Sequence, residues 1–138
     1  MNKLWIVFAV LVAFVAGCGQ GYVKRTEQFS ERVKSVVNPD ELQAWATNLI
    51  ANTPITDRKT PVYLKEVDIP KYIRAIYNEY PEDVEVVGSD AGTYVVVCYG
   101  SGNGHWGLYV GSPTLHQESD ANFYVVPWKP GIYFWSGP

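Results

Sequence analysis

Near residue 81 the apolar residues of this chain change their spacing, from one every three or four positions to one every two. That switch limits the available folds more than any other feature, because the first spacing suits helices and the second suits half-buried strands. Before it, residues 24–37 place Phe29, Val33, Val36 and Val37 at helical intervals opposite Glu27, Glu31 and Lys34. Asn38-Pro39-Asp40-Glu41 then reads as a helix start, with a capping side chain, a proline at the first position and acids near the positive end. Leu42, Trp45, Ala46, Leu49 and Ile50 form the apolar stripe of that second helix. After a proline-containing loop and a short extended piece at 62–64, Asp68 caps a third helix. Ile69, Tyr72, Ile73, Ile76, Tyr77 and Tyr80 are its inner side, and Pro81 stops it.

After the switch, residues 84–87, 93–99, 106–110, 123–126 and 132–135 read as strands. Glycine-rich turns at 88–92, 100–104 and 129–131 separate several of them. The connections are too short for crossover helices, so the sheet is expected to be antiparallel, with helices on one face. The expectation is a single α+β domain over 24–138: about three N-terminal helices, then a four- to five-stranded antiparallel sheet.

A five-residue loop over Gly100–Gly104 pairs Tyr99 with His105, Cys98 with Trp106 and Val97 with Gly107. Tyr94, Val96, Cys98, Trp106, Leu108 and Val110 then share a core face. The mixed face carries Thr93, Val95, Val97, Tyr99, His105, Gly107 and Tyr109. A slip of one residue would exchange the faces of one strand against the other. In this register Cys98 is a buried, unreactive thiol, and an aromatic ring, Tyr99 or Tyr133, is expected to lie across the gap at Gly107.

The N-terminus carries a different signal. Lys3 precedes an unbroken apolar run from Leu4 to Val15, the length of a signal-peptide core and short of the roughly 20 residues that span a bilayer. Val15-Ala16-Gly17-Cys18 follows and resembles the lipobox of bacterial lipoproteins. The resemblance implies removal of residues 1–17 and lipidation of Cys18. Residues 18–23 then form a short lipidated tether to a membrane of the cell envelope, the outer one if the host has two. Acyl chains contribute about 0.8 kcal/mol per buried CH₂, so two or three of them make a lasting anchor.

The composition, 47% hydrophobic and 18% charged, suits one globular core. A net charge of −3, with no Lys/Arg patch, argues against a nucleic-acid partner. With Cys18 lipidated, only Cys98 remains, and no intrachain disulfide is available. His105 and His116 lack the spacing of a metal-ligand motif, so no metal and no cofactor are expected. Glu118 and Asp120 beside His116, and Glu82, Asp83 and Glu85 at a strand entrance, read as solvated acidic loops. The glycines of 100–104 lead into a strand instead of a helix N-terminus and serve a turn, not a phosphate.

Gly104-His105-Trp106-Gly107-Leu108-Tyr109-Val110-Gly111 resembles the histidine strand of NlpC-like cell-wall peptidases and of lecithin:retinol acyltransferase-like enzymes. The resemblance covers these eight residues. It implies that His105 is the base that activates a cysteine thiolate. In those enzymes the cysteine begins a helix, whereas Cys98 lies in a strand, on the face opposite His105 in the five-residue-loop register. Two function classes follow. One is a non-catalytic envelope module that binds a partner protein or glycan through aromatic surface, with Tyr99, His105, Trp106 and Tyr109 as candidate contacts and Tyr124, Trp128, Tyr133 and Trp135 nearby. The other is a small hydrolase or acyltransferase built on His105. A nucleophile or carboxylate within hydrogen-bond reach of His105 would distinguish them.

Overall fold

The computed structural model describes residues 21–55, 62–63, 69–77, 81–90, 92–100 and 104–138. The leader, Cys18, Asp68 and Tyr80 lie outside these residues. The described residues form three helices and a six-stranded antiparallel sheet, one strand more than the expected maximum, with five strands after the helices and one short strand between the second and third. Among the described residues no helix is long and apolar enough to cross a membrane.

Helix α1 occupies 21–36 of the described chain, so residues 21–23, expected in the tether, already belong to the helix. Phe29, Val33 and Val37 are buried as their spacing requires, whereas Val36 is about half exposed (47%). Helix α2 (Pro39–Asn52) starts as expected, with Asn38 Oδ1 accepting from the backbone N–H of Asp40 at 2.9 Å. Leu42 and Ala46 are buried, and Trp45, Leu49 and Ile50 pack on the same cluster. Helix α3 (Lys71–Ala75) is a short piece that buries Ile73.

The strands are β1 (Val62–Tyr63), β2 (Asp83–Ser89), β3 (Gly92–Tyr99), β4 (His105–Gly111), β5 (Tyr124–Lys129) and β6 (Ile132–Gly137). Their order across the sheet is β1-β2-β3-β4-β6-β5. The extended piece at 62–63 thus becomes an edge strand. The turn expected over 88–92 is tighter, since Gly88 and Ser89 belong to β2 and Ser89 pairs with Gly92. In the β5–β6 hairpin Pro130 precedes Gly131, whose φ of 80° is the left-handed conformation that a type II turn demands at that position.

The helices cover one face of the sheet. There Val84, Val86, Val95, Val97, Tyr99, Leu108, Val110, Ile132 and Phe134 form one buried cluster with Phe29, Val33, Leu42 and Ile73. Phe29 meets Phe134 edge-on at 6.0 Å and Tyr99 at 5.5 Å. Side chains alternate along a strand, so the intervening residues face outward. Part of that outer face lies under the 112–123 connection, where Tyr133 Oη donates to the Leu115 carbonyl at 2.8 Å.

The register of the central hairpin differs from expectation by one residue. Tyr99 pairs with Trp106, Cys98 with Gly107 and Val97 with Leu108. Trp106, Leu108 and Val110 therefore join Val95, Val97 and Tyr99 on the helix side. Cys98 moves to the outer face, together with His105, Gly107 and Tyr109. Apolar β3 residues of both parities, Val95 and Val97 on one face and Val96 on the other, leave alternation unable to choose between the two registers. The tilted contacts of Phe29 and Tyr77 with Tyr99 and the edge-on contact of Tyr77 with Trp106 select the observed one.

Candidate functional site

The corrected register brings three chemically active side chains together at one end of the outer face. Glu82 immediately precedes β2, Cys98 is the penultimate residue of β3, and His105 opens β4. Asp83 pairs with Cys98 and Cys98 with Gly107, two residues after His105, so all three elements converge there. Cys98 Sγ lies 3.5 Å from His105 Nδ1. Glu82 Oε2 lies 3.8 Å from the same nitrogen. One donor atom from each of the three residues falls within 4.8 Å of the others. The His105 and Glu82 side chains keep 33% and 40% of their surface exposed, so the cluster opens to the outside.

Sequence reasoning placed Cys98 in the core and Glu82 on a solvated face, and so missed this cluster. The signal was the alternative six-residue loop, which aligns Trp106, Leu108 and Val110 with Val95, Val97 and Tyr99 and sends Cys98 and His105 to one side.

Burial first, then the carboxylates of Glu82, Asp83 and Glu85, push the Cys98 thiol up to about 12. The same groups create a field that favours a cation, and a divalent ion that binds the sulfur reverses the balance and deprotonates it. Burial and the neighbouring Asp83 also raise the Glu85 carboxyl above its usual range. Zinc bound tetrahedrally at about 2.3 Å to sulfur and about 2.0–2.1 Å to nitrogen and oxygen separates S from N by about 3.6 Å and N from O by about 3.4 Å. The observed 3.5 and 3.8 Å match two of these separations, and the third, sulfur to carboxylate, is within 4.8 Å, so the donors need only close in slightly on an ion.

Next to the cluster, Gly107 leaves a notch filled by a neighbour. A Cβ there would run into the backbone oxygen of Val97 and lie 3.0 Å from Trp135 Nε1. The ring at the gap is therefore Trp135, paired with Gly107 across β6, and neither Tyr99 nor Tyr133. Tyr109 stacks on Trp135 at 5.4 Å, Tyr94 meets Tyr109 edge-on at 5.6 Å, and Phe123 closes the row against Trp135 at 5.9 Å. The Trp135 indole N–H is buried without a hydrogen-bond partner among the described residues.

The four candidate binding residues are divided between the faces. His105 and Tyr109 are on the outer face. Tyr99 is 2% exposed beneath the helices, donating from Oη to the Ile73 carbonyl at 2.7 Å, and Trp106 lies on that side too. Of the aromatic residues expected to be surplus surface, Tyr133 and Trp135 are also buried, whereas Tyr124 and Trp128 are half-buried. His116 is separate from the cluster, its Nε2 2.8 Å from Glu118 Oε1 on an exposed loop. Cys18 lies outside the described residues. No protein-family model, curated protein or solved structure matches this chain.

Proposed function

We propose that this chain is a lipid-anchored protein of the bacterial envelope whose domain holds a divalent transition-metal ion, best matched by zinc, on Glu82, Cys98 and His105. The observation that carries the reading is the convergence of a thiol and a carboxylate on the one nitrogen, Nδ1, of His105. A catalytic relay uses the two ring nitrogens for different partners, one for the nucleophile and the other for the orienting carboxylate. A chelate instead gathers its donors around one point. Thiolate, imidazole and carboxylate together suit zinc, and three protein ligands on an open surface leave a fourth position for water or a partner's donor atom. The anchor is supported by Val15-Ala16-Gly17-Cys18 after the apolar run.

A hydrolase or acyltransferase is the second reading, favoured by the 3.5 Å approach of Cys98 Sγ to His105. The elevated thiol and the shared Nδ1 rank it below metal binding.

Titration of the purified full-length chain with zinc and with cobalt distinguishes the two. One ion per chain and a thiolate-to-cobalt charge-transfer band, both lost in Cys98→Ala and His105→Ala, are expected. No band and no zinc uptake, with His105-dependent alkylation of Cys98 in the presence of a chelator, would overturn the metal reading in favour of the second. For the anchor, palmitate labelling lost in Cys18→Ser is expected, and labelling that persists there would sink it.

A further inference from the structure

The chain segment that leads from the anchor and the Glu82–Cys98–His105 cluster meet at the same end of the sheet. Thr26 Oγ1 and Ser136 Oγ lie 2.7 Å apart, each within hydrogen-bond reach of the Tyr22 carbonyl at 2.9 and 3.0 Å. This buried contact ties the first turns of α1 to the last residues of β6. The next residue of β6, Gly137, pairs with His105 itself. On the helix side the Arg25 guanidinium stands 5.1 Å from the ring centroid of Trp106, the residue after His105. The start of α1 and the metal ligands therefore occupy opposite faces of one sheet end, one residue apart along β4 and β6.

From these contacts we infer that this end of the domain is held against the headgroup layer of the bilayer, so that the metal site opens at the membrane surface. The inference rests on the lipid anchor and the metal site proposed above. Cys18 lies three residues before Gly21, the start of α1, a reach of at most roughly 11 Å even for an extended chain. The opposite end of the sheet, at the β2–β3 turn, is farther by the length of β3, roughly 24 Å for its eight residues. So short a tether brings the near end to the surface and keeps the far end away.

The chemistry of the near end suits such a surface. Lys24 in the first turn of α1 is exposed, and Tyr22, Phe123 and Tyr124 at this end are half-buried. Amphipathic aromatic rings and a cation are the groups that settle at the level of lipid headgroups. Glu82 and Asp83 are also exposed here, and an anionic leaflet would repel them. A bound divalent cation offsets that repulsion.

The test uses the full lipidated chain in vesicles of phosphatidylethanolamine and phosphatidylglycerol that carry a headgroup-attached acceptor dye. A donor dye is placed on Asn122→Cys, beside Phe123 at the near end, or on Asp90→Cys, in the β2–β3 turn. Energy transfer from position 122 is expected to exceed that from position 90 severalfold. A long glycine–serine insertion after Gly19 should remove the difference. Equal transfer from the two positions in the chain without the insertion, or stronger transfer from position 90, would overturn the placement. Failure of the lipidated chain to sediment with vesicles overturns the anchor and the placement together. Zinc uptake is measured on the same vesicles, and its absence with the transfer difference intact removes the metal reading alone and supports the placement.

Discussion

The two faces of the sheet are made by alternate residues of the same strands, yet one is a core and the other is a site. On the helix side, Val97, Leu108, Ile132 and Phe134 are wholly buried and contribute no titratable group. The outer face carries Glu82, Cys98 and His105, together with Glu85 and Tyr109, whose acid groups burial shifts upward. It also holds an indole N–H without a partner among the described residues. Close packing of apolar side chains supplies most of the stability of a small domain, while half-buried polar groups reduce it. The helix face thus supports the fold with enough margin for the outer face to hold groups that no core would tolerate.

If this division is right, the largest effect of a single truncation lies on the helix side. Phe134→Ala is expected to lose about 3–5 kcal/mol, measured by chemical denaturation of the purified protein. A loss no larger than that of an outer-face variant would break the comparison. Next is zinc itself: at a free concentration one hundred times its dissociation constant it should stabilise the wild type by about 2.7 kcal/mol and leave Cys98→Ala unchanged. A melting temperature that rises equally in both would place the ion elsewhere.

Gly107→Val should cost about 1–3 kcal/mol, because the new side chain must displace the Val97 backbone or the Trp135 ring. Neutral behaviour would mean that the notch is open. In metal-free protein Cys98→Ala should cost on the order of 1 kcal/mol at most, since the thiol is only partly buried and its contact with His105 is a weak hydrogen bond. A loss as large as that of Phe134→Ala would mean that Cys98 belongs to the core after all.

The smallest expected effect concerns Glu85. Its carboxyl binds a proton more tightly in the folded chain than in the unfolded one. Stability therefore falls as pH rises from the ordinary carboxylate value of 4.5 through the raised one. Glu85→Gln removes that loss. The variant should be slightly more stable than wild type at pH 7 and indistinguishable from it below pH ~4, where both carboxyls are protonated in either state. Denaturation midpoints at the two pH values measure the difference, and a destabilised variant at pH 7 would show that the charge is useful to the fold.

Helix α2 was legible down to its cap because the interactions are local. Asn38, Pro39 and the acids of the first turn act within one turn of chain, and the observed bond from Asp40 N–H to Asn38 Oδ1 follows from them. The order of helices then strands, and the antiparallel sheet, were legible from period and connection length. What was not legible was the side of the sheet on which Cys98 lies. Tyr94, Val96 and Cys98 are nearly as apolar as Val95, Val97 and Tyr99, so the pattern of β3 matches β4 in either register.

Sequence alone therefore determined the class of the fold, the order of helices and strands and the cap of α2, because each follows from interactions a few residues long. It also contained every donor of the candidate site and the apolar leader that precedes Cys18. Tertiary structure decided which donors meet. Tyr99 and Trp106 had to pack on Phe29 of α1 and Tyr77 of the turn after α3, and that aromatic contact set the hairpin register. A one-residue shift in a structure of period two carries every side chain of a strand to the other face, and here it carried Cys98 to His105.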